Sequence, residues 1–152
     1  MKLFRKDSSY AVRTLVYLAQ QGKSEPISST RVSEALGIPK NFLRRIFSIL
    51  IRSGILHATE GARGGVTLAK SPAQISVRDV MLGLQGDMKI CNSLHGKELC
   101  EDSTVCVIRK RIIGIEKLIN NEFQNITIQT LIDDENTLPI VEGEEQNSEL
   151  NV

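Results

Sequence analysis

The stretch from Ser28 to Gly54, SSTRVSEALGIPKNFLRRIFSILIRSG, constrains the fold more than any other part of the chain. Its first ten residues have the pattern of a short helix, with a serine available as N-cap and Gly37 where a helix ends. Pro39 follows at once, in a first-turn position that a new helix tolerates. Two short helices joined by a turn that contains glycine predict a helix-turn-helix.

The second helix of this pair has two different faces. Apolar side chains recur on one face at spacings of three and four residues, namely Leu43, Ile46, Phe47 and Leu50. The opposite face carries hydrogen-bond donors, namely Lys40, Asn41, Arg44, Arg45 and Ser48. Arginine can pair bidentately with guanine and asparagine with adenine, so these side chains suit base edges and phosphates. A solvated helix face is the alternative, but the adjacent arginines favour a helix that reads DNA.

Two short β-prone runs follow directly, ILHAT at 55–59 and VTLAK at 66–70, with EGARGG between them. A hairpin directly after a helix-turn-helix is a wing, and its tip would place Arg63 beside a phosphate or in a minor groove. The alternative is a glycine-rich turn whose arginine contacts nothing. We therefore predict a mainly α fold with a small β-hairpin, a winged helix-turn-helix, followed by a long dimerisation helix.

A long helical pattern runs from about residue 103 to 123. Its apolar stripe consists of Val105, Ile108, Ile112, Ile115, Leu118, Ile119 and Phe123. This is more apolar surface than the preceding helices can cover, so we expect a second copy of the chain to cover it in a homodimer. The alternative is that the helix lies back across its own domain.

These patterns divide the chain into four parts. We expect a DNA-binding domain at 1–85, a cysteine loop at 86–102, the dimerisation helix with a short terminal helix at 103–133, and an acidic, disordered tail at 134–152. The last twenty residues hold seven acids and no lysine or arginine, so the first 132 residues carry 19 bases against 11 acids. A basic body is one footprint of a protein that binds double-stranded DNA.

All three cysteines of the chain, Cys91, Cys100 and Cys106, lie within sixteen residues. Thiolates at varied spacing can hold an iron–sulfur cluster. Zinc would want a fourth donor, which His95 could supply, and three free thiols are the remaining reading. An odd set of clustered thiols and the lack of any membrane-length apolar run indicate a cytoplasmic protein with no membrane partner. No Ser-His-Asp set, Cys-His set or phosphate loop is present, so we expect no enzyme.

This order of features resembles the Rrf2 family of bacterial regulators, over residues 1 to about 135. The resemblance rests on MKLFRKDSSYAVRTLVYLA, VSEALGIPKNFLRRIFSILIRSGIL, GARGGVTLAK, the cysteine loop and FQNITIQTLID. It implies a homodimeric DNA-binding transcription regulator, with repression as the expected mode. In the cluster-binding members of that family, three loop cysteines hold a 2Fe–2S or 4Fe–4S centre that senses redox state, nitric oxide or iron–sulfur status.

Carried over, the resemblance makes Cys91, Cys100 and Cys106 the cluster ligands, and it places Asn41, Arg44 and Arg45 where the family reads bases. The chain departs from the family in three places. Eight residues separate its first two cysteines where cluster-binding members usually have five. Arg109 stands where a histidine ligand occurs in some members, which leaves Asp7 and His95 as candidates for a fourth ligand. Glu60 replaces a common wing arginine. The alternative function is a clusterless or zinc-binding regulator that responds to a metabolite, thiol oxidation or a partner protein.

Overall fold

The structure is a computed structural model, and it describes residues 3–22, 25–90 and 107–137. Six α-helices and one hairpin make up these parts: α1 (Lys6–Gln20), α2 (Ser29–Leu36), α3 (Lys40–Arg52), β1 (Leu56–Thr59), β2 (Gly65–Leu68), α4 (Val77–Gln85), α5 (Val107–Asn125) and α6 (Ile128–Thr137). A single 3-10 turn, Pro72–Gln74, precedes α4. The mainly α fold with a small hairpin is therefore confirmed. No helix in these ranges is both long enough and apolar enough to cross a bilayer.

The junction between α2 and α3 has the capping residues that the sequence predicted, with one shift. The Ser28 side chain accepts a hydrogen bond from the backbone N–H of Arg31 at 3.3 Å, and Gly37 ends α2 with a φ of 65°. Glycine adopts this left-handed conformation without the steric penalty of a side chain. Pro39 is extended and precedes α3 as its N-cap, rather than lying inside the first turn.

The inner stripe of α3 lies in the core as predicted. All four of its apolar residues are buried: Leu43, Ile46, Phe47 and Leu50. They belong to one core that also includes Leu15 of α1, Val32 of α2 and Ile128 of α6. Burial of this stripe fixes the rotation of α3 about its axis and turns the opposite face to solvent.

The hairpin is attached to the domain through a residue that lies before α2. Strands β1 and β2 are antiparallel, with Leu56 opposite Leu68 and Thr59 opposite Gly65. Ile27 extends this sheet, because it exchanges two backbone hydrogen bonds of 3.0 Å with Val66. A Cβ atom at Gly65 would lie 2.6 Å from the Ile27 backbone, so this contact requires glycine.

Backbone hydrogen bonds join the segment that leads into α4 to the start of α6. The Ser76 hydroxyl caps α4 by accepting from the Asp79 N–H, and the Ile128 N–H donates to the Ile75 carbonyl at 2.9 Å. The fully buried Ile128 brings α6 into the same core as the winged domain. Helix α6 continues to Thr137, so the predicted tail does not begin at residue 134, and residues 138–152 lie outside the described ranges.

Helix α5 leaves part of its predicted apolar stripe uncovered. Ile115 and Leu118 are 48% and 66% exposed, whereas Glu116, which the predicted stripe does not include, is only 5% exposed. The polar side chains of Glu116 and Asn120 face the rest of the chain because both make hydrogen bonds there. Val105 and the side chain of Ile108 lie outside the described parts. The predicted helix is therefore present, but its apolar residues are divided between an inner and an outer face.

Candidate functional site

The outer face of α3 presents the residues predicted to contact DNA. All five are exposed: Lys40, Asn41, Arg44, Arg45 and Ser48. The helix has four basic residues, counting Arg52, and no acidic residue. A row of cations and hydrogen-bond donors without a carboxylate attracts the phosphate backbone and leaves donors free for base edges.

A groove connects this face to the wing. It has a volume of about 480 Å³, and its polar lining comes from Ser28, Ser29, Arg44, Ser48 and Arg52, with Gly64 and Gly65 on the wing side. Arg52 was not among the residues predicted to contact DNA. Its place beside them was predictable, since Arg44, Ser48 and Arg52 follow one another at intervals of four residues and so share one side of a helix.

The wing carries Arg63 on its exposed tip, as predicted. The tip is a turn closed by a hydrogen bond of 2.9 Å from the Gly64 N–H to the Gly61 carbonyl. Glu60 is exposed in the same tip. The end of the wing therefore carries one cation and one anion, whereas the charged side chains on the outer face of α3 are all cations.

The candidate metal ligands fall mostly outside the described residues. Cys91, Cys100, Cys106 and His95 all belong to the stretch 91–106, which is not described. Asp7 lies in the first turn of α1, where its carboxylate is 3.7 Å from the guanidinium of Arg5. Within residues 3–22, 25–90 and 107–137, no three His, Cys, Asp or Glu side chains come together as a metal site.

The two ends of the cysteine stretch are described, and one of them is held by α5. The backbone N–H of Ile90, the residue before Cys91, donates to Glu116 Oε1 at 2.6 Å. Val107, the residue after Cys106, begins α5. Glu116 was not among the functional residues predicted from the sequence. The only available signal was an acid between Ile112 and Ile119, inside a stripe otherwise taken as apolar.

A chain of polar contacts continues from Glu116 to α4. Asn120 Nδ2 donates to the Glu116 carbonyl at 2.9 Å, and Asn120 Oδ1 accepts from Arg78 Nε at 3.3 Å. Arg78 also donates to Gln124, whose amide donates to the Ser76 hydroxyl at 3.1 Å. These contacts join α5 to the N-terminal half of α4 by side chains that are partly shielded from water.

Comparison with known proteins identifies what the chain resembles over most of its length. The family model described as "Rrf2: Iron-dependent Transcriptional regulator" matches residues 4–134. The HTH-type transcriptional regulator IscR of Serratia proteamaculans (strain 568) is 26% identical over 139 residues, which are 91% of this chain and 84% of that protein. IscR of Yersinia pseudotuberculosis serotype O:1b (strain IP 31758) is 24% identical over the same length and the same shares of both chains.

Solved structures share the fold. CymR (YrzC), described as the global cysteine regulator of B. subtilis, has a TM-score of 0.72 and 21% identity, over 88% of this chain and 98% of CymR. IscR of T. potens has a TM-score of 0.71 and 23% identity, over 94% of each chain. Both likenesses extend beyond the helix-turn-helix to the helices that follow it.

Proposed function

Because the chain belongs to the Rrf2 family of iron-dependent transcriptional regulators, we propose that an iron–sulfur cluster on Cys91, Cys100 and Cys106 sets its affinity for an operator. Membership confirms the family resemblance found in the sequence. It also confirms the assignment of the chain as a DNA-binding transcriptional regulator rather than an enzyme. The cluster, the homodimer and the individual contact residues are the proposed parts.

The exposed cationic face of α3 is the observation that carries the DNA-binding mode. We assign Asn41, Arg44 and Arg45 to base edges in the major groove, with Lys40 and Ser48 on the flanking phosphates. Arg63 of the wing contacts the backbone or the minor groove. The groove between α3 and the wing places these two elements on one continuous surface, which supports their acting on one duplex.

The outer face of α5 supports a homodimer. Val107, Ile115 and Leu118 are large apolar side chains that stand exposed on this helix. A second copy packing helix against helix would remove them from water, and burial of apolar surface stabilises by about 25 cal/mol per Å². A twofold dimer also presents two recognition helices to a palindromic operator. In this arrangement residues 1–85 bind DNA, 86–102 carry the cysteine loop and 103–133 form the dimer contact.

The donor set suits an iron–sulfur centre. Three thiols within one segment provide three thiolate ligands, and Asp7 and His95 are the candidates for a fourth. Zinc could use the same three thiolates with His95 as a fourth donor, whereas a protein without metal needs no such set. When bound, the cluster would supply an iron centre that responds to oxidants, nitric oxide or iron supply. Repression in one cluster state is the expected mode of regulation.

Thermodynamic linkage would couple the occupancy of the cysteine segment to the affinity for the operator. If the occupied cysteine segment favours one arrangement of α5, and that arrangement favours one spacing of the two α3 helices, then operator affinity changes with occupancy. The same free energy acts in both directions, and couplings of this kind are typically about 1–3 kcal/mol.

A clusterless or zinc-binding regulator is the second candidate. The eight-residue first cysteine interval and Arg109 favour it, since both depart from the ligand pattern of cluster-binding relatives. In this case a metabolite, thiol oxidation or a partner protein would act on α5 instead.

Anaerobic purification tests the cluster directly. The proposal predicts absorbance between 300 and 500 nm together with iron and sulfide bound to the protein, and loss of all three signals in Cys91→Ser, Cys100→Ser and Cys106→Ser. Ser93 lies within the same stretch of sequence, and the control variant Ser93→Ala should retain the absorbance. Colourless protein with stoichiometric zinc would establish the zinc alternative, and colourless, metal-free protein the clusterless one.

A further inference from the structure

Glu116 is the buried acid of α5, and nothing in the proposed function uses it. It is 5% exposed, and its carboxylate accepts a hydrogen bond of 2.6 Å from the backbone N–H of Ile90. Burying a carboxylate costs free energy unless hydrogen bonds replace its water. A carboxylate kept at a buried position of α5 therefore points to a contact that an apolar residue could not make.

One partner of this carboxylate is the residue at the entrance to the cysteine segment. Ile90 directly precedes Cys91, and a hydrogen bond from an amide to a charged acceptor is short and about twice as strong as a neutral one. Glu116 lies nine residues after Val107, which is roughly 14 Å of helix. The segment therefore starts beside the middle of α5 and ends at the beginning of the same helix.

The contacts beyond Glu116 lead to the recognition helix. The Glu116 carbonyl and Asn120 connect to Arg78 of α4, as described above. Further along α4, Gly83 faces Ser53, the residue that caps the end of α3. Close-packed helices transmit a displacement of one to the other.

We infer that Glu116 is a positioning residue that ties the entrance of the cysteine segment to α5, so that a change at the cysteines moves α5 against α4 and thereby α3. The inference rests on the proposed regulation by the cysteines, but the tie itself exists in the protein without any cluster. The carboxylate acts as a hydrogen-bond acceptor, so an amide of the same shape should replace it.

The test compares Glu116→Leu, which removes the acceptor, with Glu116→Gln, which retains one. Amide hydrogen exchange of Ile90 in cluster-free protein reports only on its hydrogen bond to Glu116. We expect this exchange to be about tenfold faster in Glu116→Leu and near the wild-type rate in Glu116→Gln. The control Asp87→Leu removes an exposed carboxylate three residues before Ile90 and should leave this rate unchanged.

The second readout is the ratio of DNA affinities between cluster-loaded and cluster-free protein, measured on a duplex selected by the wild type from a random pool. We expect this ratio to fall about fivefold or more in Glu116→Leu and to stay within about twofold of wild type in Glu116→Gln. Ile90→Pro removes the donor instead of the acceptor. It should reproduce the loss, and the double variant should lose no more than either single one.

Failure of the inference and failure of the proposed function give different results. A wild-type protein whose affinity ratio is one contradicts regulation by the cysteines, whereas the exchange rate of Ile90 still tests the tie. Glu116→Leu with wild-type exchange and a wild-type ratio overturns the inference. The inference is also overturned if Glu116→Gln lowers the affinity ratio as much as Glu116→Leu does. The charge of the carboxylate, and not its hydrogen bond, would then be required. Should Glu116→Leu fail to fold, Ile90→Pro and Glu116→Gln decide between these results.

Discussion

Arg44 and Arg45 are adjacent in sequence, and both stand exposed on the outer face of α3. Arg63 is exposed too, but it belongs to a turn at the end of a hairpin rather than to a helix that can enter a groove. Base contacts specify a sequence and phosphate contacts only position the protein. Removal of Arg44 or Arg45 should therefore affect DNA binding differently from removal of Arg63.

Replacing Arg44 or Arg45 with alanine should weaken binding to the selected duplex by about 1–3 kcal/mol and relax the preference at one base position. Arg63→Ala should weaken all duplexes alike and reduce the slope of affinity against salt by about one. Fluorescence titrations of selected and scrambled duplexes at several salt concentrations measure both quantities. Equal losses on selected and scrambled DNA for all three variants would contradict base reading by α3.

At the scale of elements, the wing depends on one close contact. Gly65 begins β2, and the backbone of Ile27 passes close enough that a Cβ atom at residue 65 would lie 2.6 Å away. The atoms in the way belong to backbone that is itself hydrogen-bonded to Val66, so they cannot move aside without breaking those bonds.

Gly65→Ala should lower the free energy of unfolding by about 1–3 kcal/mol, the usual cost of overpacking. It should also weaken DNA binding, because the wing would shift relative to α3. Urea unfolding and duplex titration measure the two effects. Ala62→Ser, at the exposed tip of the same hairpin, should change neither quantity. A Gly65→Ala protein with wild-type stability would contradict this prediction, since the sheet would then accommodate the Cβ atom without loss of free energy of unfolding.

The same elements show what sequence patterns can and cannot predict. The inner stripe of α3 was predictable because spacing within one helix is a local property, and all four residues are buried. Ile27 joins the sheet as a single residue, without the alternation that identifies a strand. The buried side of α5 was not predictable in the same way, because which face a helix buries depends on what packs against it. Glu116 and Asn120 turn inward for partners that lie 26 and 42 residues away.

On the scale of the whole molecule, the outer face of α5 is where a second copy would pack. Among its described large apolar side chains, Leu118 is the most exposed after Val107, at 66%. A carboxylate in the middle of a helix–helix contact would have to lose its water without gaining a partner. A carboxylate introduced at residue 118 should therefore separate the two copies and leave each one folded.

Leu118→Glu should therefore convert the dimer to a monomer, as measured by sedimentation equilibrium, with an unchanged far-ultraviolet circular dichroism spectrum. Operator affinity should fall with it, since a monomer presents one recognition helix instead of two. Lys117→Glu puts the same residue at the neighbouring exposed position and should remain dimeric. A Leu118→Glu protein that stays dimeric would place the dimer contact elsewhere.

The regulation proposed for this protein joins a DNA surface on α3 and the wing to three cysteines in the segment that precedes α5 in sequence. The most direct measurement is the affinity of the anaerobically prepared protein for its selected duplex, before and after the bound metal is stripped. We predict tight, sequence-dependent binding in one of the two states and a change of about 5–150-fold between them. A protein that binds no double-stranded DNA in either state would contradict the central claim.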